Sequence, residues 1–327
     1  MQIVRPIDFD RHPLVEQKYI VPTPSIDEFY EKVKRLVRLR IPGAIVHAYP
    51  RYGKTYSIRY VIRVLREDFP GIVILSFGCH KKKTHSEDAF FANLLRAAGH
   101  ISPESGSIDR KRSRLTDRIK ERVDKTCYNL VIAFADEAQR LDIIEYEWLR
   151  DVHDELERAG IRMITFLVGQ PQLLNQKTAF RESRQTQIIS RFMIDEMRFR
   201  GVQSAEDLAT CLAGYDTACF PQDTNWTYTR FFFPLAYEDG LRLVDQAMAL
   251  WDAFERAHIG ARFEEILEIP MQYLSRSVEI AFLEHVERDS PEFRFSPAIW
   301  DEAVKASNYV SAHEELRLQL AEDVDYG

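Results

Sequence analysis

The stretch AIVHAYPRYGKTYSIRYVIRVL, residues 44–65, decides the reading of this chain. Its apolar run, Ala44 to Ala48, stops at a loop, and Gly53-Lys54-Thr55 follows. Apolar residues then recur at Ile58, Val61, Ile62 and Leu65, the spacing of a helix. A strand, a tight loop and a helix in that order aim the free N–H groups and positive end of the helix at the loop. That arrangement is a phosphate cradle. The loop reads A-x-x-x-x-G-K-T, and the nucleotide-binding residues expected are Ala48, Tyr49, Pro50, Arg51, Tyr52, Gly53, Lys54, Thr55 and Tyr56. Gly53 lets backbone approach phosphate, Lys54 reaches the β/γ-phosphates, and Thr55 offers a hydroxyl to Mg²⁺. Ala48 stands where the fuller motif has glycine, which a negative φ tolerates.

A metal site needs a carboxylate, and LVIAFADEAQ at 130–139 supplies two at the end of an apolar strand. Asp136 would hold the metal beside Thr55, and Glu137 would orient and polarise an attacking water. The next apolar run, IRMITFLVG at 161–169, ends before Gln170. Its amide is expected between the two motif strands, near the γ-phosphate; the other reading is a turn residue before Pro171. IISRF, 188–192, places Arg191 at a helix end, where it would reach the γ-phosphate of a neighbouring copy and stabilise transition-state charge.

The segments around these motifs fix the fold class. GIVILSF (71–77) is a further buried strand, and a short one falls near 193–199. Helices are expected at 25–40, opened by a Ser25/Glu28 capping box, at 84–99, opened by THSE, at 111–126, at 141–159 and around 183–191. Strands alternating with helices imply a five-stranded parallel α/β sheet over residues 25–200. Residues 1–24, with four prolines, read as an extended arm, 201–315 as a helical second domain, and 316–327 as a loose acidic tail. Within the helical part, Trp226, Tyr228, Phe231, Phe232 and Phe233 either pack that domain or form an exposed docking patch.

The 327 residues are 45% hydrophobic and 29% charged, which excludes a disordered chain. No apolar stretch is long enough to cross a bilayer, and the N-terminus lacks the apolar run of a signal peptide. Cysteines 79, 127, 211 and 219 have no metal spacing and are expected as free thiols in the cytoplasm. The net charge is −7, yet residues 77–125 hold twelve Lys/Arg against seven Asp/Glu, a local +5. Lys81, Lys82 and Lys83, with Arg114, Arg118 and Arg122 one helical turn apart, form a candidate surface for duplex DNA backbone. No base-reading motif accompanies it, so binding independent of sequence is expected.

The motifs AYPRYGKT, LVIAFADEAQ, FLVGQPQL and IISRF, in that order and followed by a helical domain, resemble those of AAA+ ATPases. Within that superfamily, PRYGKT and DEAQRL…LVGQPQL resemble the TnsC/TniB regulators of DNA transposition, including those of CRISPR-associated transposons. The resemblance implies a P-loop AAA+ core with a helical lid, ATP and Mg²⁺ as cofactors, and Mg-dependent ATP hydrolysis. It also implies a ring or filament of copies on duplex DNA that links a target selector to a transposase. Lys54 and Thr55 would be the Walker A pair, Asp136 and Glu137 the Walker B pair, Gln170 sensor one and Arg191 the arginine finger. Arg276, in YLSRSV, would be the lid arginine on nucleotide. Two alternatives are a helicase-loader or clamp-loader-like ATPase, and a nucleotide-gated protein scaffold that does not bind DNA.

Overall fold

A computed structural model describes residues 5–325, with side-chain surroundings through residue 318. The chain divides into two compact units, Glu28–Phe199 and Met1–Asp27 with Arg200–Gly327.

The first unit is a five-stranded sheet of β1 (Gly43–His47), β2 (Val73–Gly78), β3 (Leu130–Asp136), β4 (Arg162–Gly169) and β5 (Asp195–Arg198). Its order is β2-β3-β4-β1-β5, and every pairing is parallel. The helices are α1 (Pro24–Leu39), α2 (Lys54–Asp68), α3 (Glu87–Ala97), α4 (Ile108–Val123), α5 (Ile143–Arg158), α6 (Gln172–Glu182) and α7 (Thr186–Phe192). Strands β1 to β4 are near-continuous apolar runs because both faces of the sheet are covered, whereas the edge strand β5 is Asp-Glu-Met-Arg. On one face Ile45, Leu75, Ala133 and Leu167 meet Phe91, Leu95, Ile119, Leu149 and Phe192 from the helices. On the other, Phe134 stacks on Phe166, and Phe29 of α1 packs edge-on to Phe134 at 6.3 Å.

The five expected strands are all present. Helix α4 starts at Ile108 rather than 111 and α7 at Thr186 rather than near 183, and neither expected capping box forms. The hydroxyl of Thr23, not Ser25, accepts the N–H of Ile26, while Ser25 donates to the carbonyl of Arg200. Likewise Ser86 rather than Thr84 caps α3, accepting from the N–H of Ala89 at 3.2 Å. Helix α6 was absent from the sequence reading; its apolar positions are few, with only Leu173 and Phe180 buried.

The second unit is helical: α8 (Ala205–Thr217), α9 (Tyr228–Phe232), α10 (Pro234–Glu238), α11 (Ala247–Gly260), α12 (Met271–His285), α13 (Pro297–Ala306) and α14 (Tyr309–Asp325). The aromatic segment is its core, not a surface patch, since Phe231, Phe232 and Phe233 are fully buried. Part of what covers them is the segment expected as an extended arm. His12, itself buried, stacks on Phe231 at 4.3 Å, and Arg5 donates to the Phe231 carbonyl at 2.8 Å. The acidic stretch expected as a loose tail continues α14 to Asp325. Among the described residues no helix is long and apolar enough to cross a membrane.

Candidate nucleotide site

The sheet order puts β4 between β3 and β1, so the two motif strands flank the strand that ends at Gly169. The register pairs His47 with Gly169 and Asp136 with Val168, which brings the three strand ends to one level. Ala48 continues the ladder, its N–H donating to the Gly169 carbonyl at 3.1 Å. Gln170 therefore lies between the two motifs.

From that level the loop rises and turns into α2. Gly53 occupies the N-cap with φ of 94°, a left-handed conformation that glycine adopts without cost, and Arg51 also has a positive φ of 74°. Ala48 does not take a positive φ, which is why alanine is tolerated there. Tyr49 and Tyr52 lie with ring centres 6.3 Å apart, Tyr52 buried, while Pro50 and Tyr56 are exposed.

Lys54 is 7% exposed, and its ammonium donates to the carbonyls of Ala48 and Tyr49, both at 2.8 Å. Burial lowers its pKa, and the carboxylates of Glu137 and Asp136 pull the other way. The Thr55 hydroxyl donates to Asp136 Oδ2 at 2.7 Å. A hydroxyl and a carboxylate meeting beside a buried ammonium are the hard oxygen donors that Mg²⁺ with phosphate requires, so the residues fit that ion.

Glu137 follows in a left-handed conformation, φ 56°. One of its oxygens, Oε2, accepts from Gln139 Nε2 at 2.9 Å and lies 3.3 Å from Arg140. Gln139 also accepts the N–H of Gln170 through Oε1 at 3.1 Å. The sequence reading passed over Gln139 and its neighbour Gly169. The signal was present, a glutamine three residues after Asp136 and a glycine before Gln170, but only the sheet register connects the two.

Arg191 stands elsewhere. It ends α7, pairs with Asp154 at 2.6 Å and lies 3.7 Å from Glu157. Its carbonyl packs on Gly43, the first residue of β1, where a Cβ would sit 2.3 Å away. Five strand residues separate that end from the loop, roughly 16 Å at ~3.3 Å per residue. Arg191 is thus too far to serve the loop of its own chain. Arg276 belongs to the helical unit, on α12, and pairs with Glu279 at 3.5 Å.

The basic segment is less free than its sequence suggests. Lys81 and Lys83 are exposed, but Lys82 pairs with the buried Glu145. The expected cationic line on α4 is not an open face. Arg114 donates to the carbonyls of Ser102 and Ser105, Arg118 to that of Gly99, and Arg122 to that of Ala98. Arg118 also pairs with Glu121 at 2.7 Å. These guanidiniums satisfy the end of α3 and the loop after it, which are otherwise short of donors.

Residues 43–176 match the family model of an AAA domain, and the structure around them is an α/β core with a five-stranded parallel sheet, followed by a helical C-terminal part. Among solved structures, the ORC2 protein of Aeropyrum pernix in its ADPNP–ADP complexes is similar with a TM-score of 0.62 at 14% identity. The match covers 90% of this chain and 71% of that one. The ORC1 protein of the same organism, in complex with DNA, gives 0.53 at 14% identity over 90% and 67%. At that identity the likeness is one of fold. No curated protein matches the chain by sequence.

Proposed function

We propose that this chain is an ATPase whose copies assemble on duplex DNA to regulate transposition, linking a target selector to a transposase. The observation that carries the ATPase reading is the contact of Thr55 with Asp136, made beside buried Lys54 at the ends of the two motif strands that flank β4. Lys54 would exchange its two carbonyl partners for phosphate oxygens. Thr55 and Asp136 would hold Mg²⁺, which when bound neutralises charge developing on the phosphates. Glu137 would take a proton from the attacking water on Oε1, the oxygen not engaged by Gln139, while Gln170 steadies the γ-phosphate. ADP and phosphate leave. Arg191 would complete the site of a neighbouring copy, and its position at the far end of the sheet supports action between copies rather than within one.

DNA binding rests on the exposed lysines Lys81 and Lys83 and on the fold shared with an ORC1 protein solved with DNA. The role in transposition rests on the motif resemblance alone. Free thiols agree with a cytoplasmic setting. Arg276 would be the lid arginine, as the motif resemblance implies.

The test is hydrolysis by the full chain with and without duplex DNA, together with the gene neighbourhood. DNA-stimulated turnover and an adjacent transposase gene are expected. Remodelling of a helicase or clamp ring would favour a loader, and slow turnover without DNA affinity would favour a protein scaffold.

A further inference from the structure

We propose that Gln139 is a positioning residue that holds the Glu137 carboxylate and ties it to the tip of β4. This rests on the ATPase reading above. After Asp136 the chain turns left-handed at Glu137 and forms a short 3₁₀ turn, Ala138–Arg140. Ala138 is fully buried there, so the turn is anchored and Gln139 projects from it. Its amide spans two strands: Nε2 donates to Glu137 Oε2 at 2.9 Å and Oε1 accepts from the Gln170 N–H at 3.1 Å. A carboxylate only accepts and a backbone N–H only donates, so one orientation of the amide satisfies both.

The surroundings make room for this bridge and fix it. At Gly169 a Cβ would lie 2.4 Å from Gln139 Oε1 and 2.8 Å from Leu173, so any side chain there displaces the amide. From α6, Gln176 donates to the carbonyls of Gln139 at 2.8 Å and Leu141 at 3.0 Å, pinning the turn from below. The consequence is mechanical. Gln170, the residue expected to sense the γ-phosphate, shares one side-chain amide with the residue expected to activate water. A shift of the β4 tip is passed to Glu137 without any intervening loop.

The test is steady-state hydrolysis by the full chain with Mg²⁺ and ATP, beside affinity for a fluorescent ATP analogue and thermal unfolding. Gln139→Ala is expected to lower kcat about ten- to hundred-fold, the usual effect of removing an orienting partner. KM, analogue affinity and melting temperature should be unchanged. Gln139→Glu keeps the acceptor for the Gln170 N–H but sets a carboxylate against Glu137, and should lose at least as much. Gly169→Ala should also lower kcat in the natural chain, since its Cβ would meet the Gln139 amide as well as Leu173. Three results would overturn the proposal. These are a Gln139→Ala kcat within about twofold of the natural chain, affinity and melting temperature falling in step with kcat, or Gln139→Glu turning over at the natural rate. A natural chain that hydrolyses no ATP would overturn the ATPase reading instead, and is seen before any variant is made.

Discussion

The two ends of one sheet treat charge in opposite ways. At the carboxyl ends of β1, β3 and β4, Lys54, Thr55 and Asp136 are held on neutral donors and acceptors or on each other, and Glu137 is shared between the Gln139 amide and Arg140. At the amino ends, Arg191 is closed against two acids of α5, Asp154 and Glu157, beside buried His153. On the proposed function, the first end exchanges its partners for a phosphate chain. The second is complete as it stands, and opens only if something better than two carboxylates approaches. A parallel sheet with all its strand ends on one side favours this division, because loops at the carboxyl ends gather residues from several strands.

The sharpest way to break the comparison is at Lys54. Lys54→Ala is expected to lose nucleotide binding, measured by a fluorescent analogue, since the ammonium is the loop's main positive charge. Glu137→Gln should bind nucleotide normally and lose turnover by roughly 10²–10⁴, the range for a positioned base. Turnover at the natural rate in that variant would remove Glu137 from its role.

The far end is tested by mixing. Arg191→Ala and Lys54→Ala proteins, each inactive alone, should regain part of the activity together, because mixed contacts pair one intact loop with one intact arginine. Loss of the ion pair itself is worth little, roughly 0–1 kcal/mol for a partly exposed pair. Failure of the mixture with ATP and DNA present would confine Arg191 to its acids.

A smaller effect is expected from the basic segment. Lys81→Ala with Lys83→Ala should weaken binding to all duplexes alike and lower the salt slope by about one per lost contact in each subunit. Lys82 is left in place, because removing it strands a buried Glu145. Arg118→Ala should change melting temperature but not the salt slope, since its guanidinium serves Gly99 and Glu121.

The smallest effect is one of acidity. Burial pushes the His153 pKa down from 6.5 to about 3, and the nearby Arg191 and Arg162 act in the same direction. Its ring packs edge-on to Phe192 and bonds Thr165 Oγ1 at 2.8 Å. The unfolded chain takes up a proton near pH 6.5 that the folded chain refuses until about pH 3. Stability therefore falls as pH drops through that window. His153→Gln should flatten the acid side of the melting-temperature profile by up to about one proton; an unchanged slope would place the titration elsewhere.

What the sequence disclosed follows from locality. Strands β1 to β4 are apolar runs bounded by glycine, proline or charge, and each nucleotide motif lies within ten residues, so its chemistry is written in one line. Long-range pairing is not. Gln139 meets Gln170 across 31 positions, and Arg122 reaches Ala98 across 24, with no periodicity to announce either. The α4 arginines looked like an open face because spacing shows which side chains align, not what waits beside them. The helix starts went astray for a related reason. Ser-x-x-Glu occurs by chance, and the hydroxyl that caps is the one whose backbone is extended at the right residue, Ser86 in α3. The early residues defeated a local reading altogether, since His12 finds its rings more than two hundred positions later.

Glu137 is a non-glycine residue in the left-handed region, and such a backbone is strained by on the order of 1 kcal/mol. Asparagine or glycine accepts that conformation more readily, so Glu137→Asn is expected to melt at a higher temperature while hydrolysing nothing. Fitness and robustness then pull this position in different directions. A library ranked on heat resistance alone would enrich for chains that fold better and have forgotten how to turn over, and the glutamate persists only where selection reads the reaction itself.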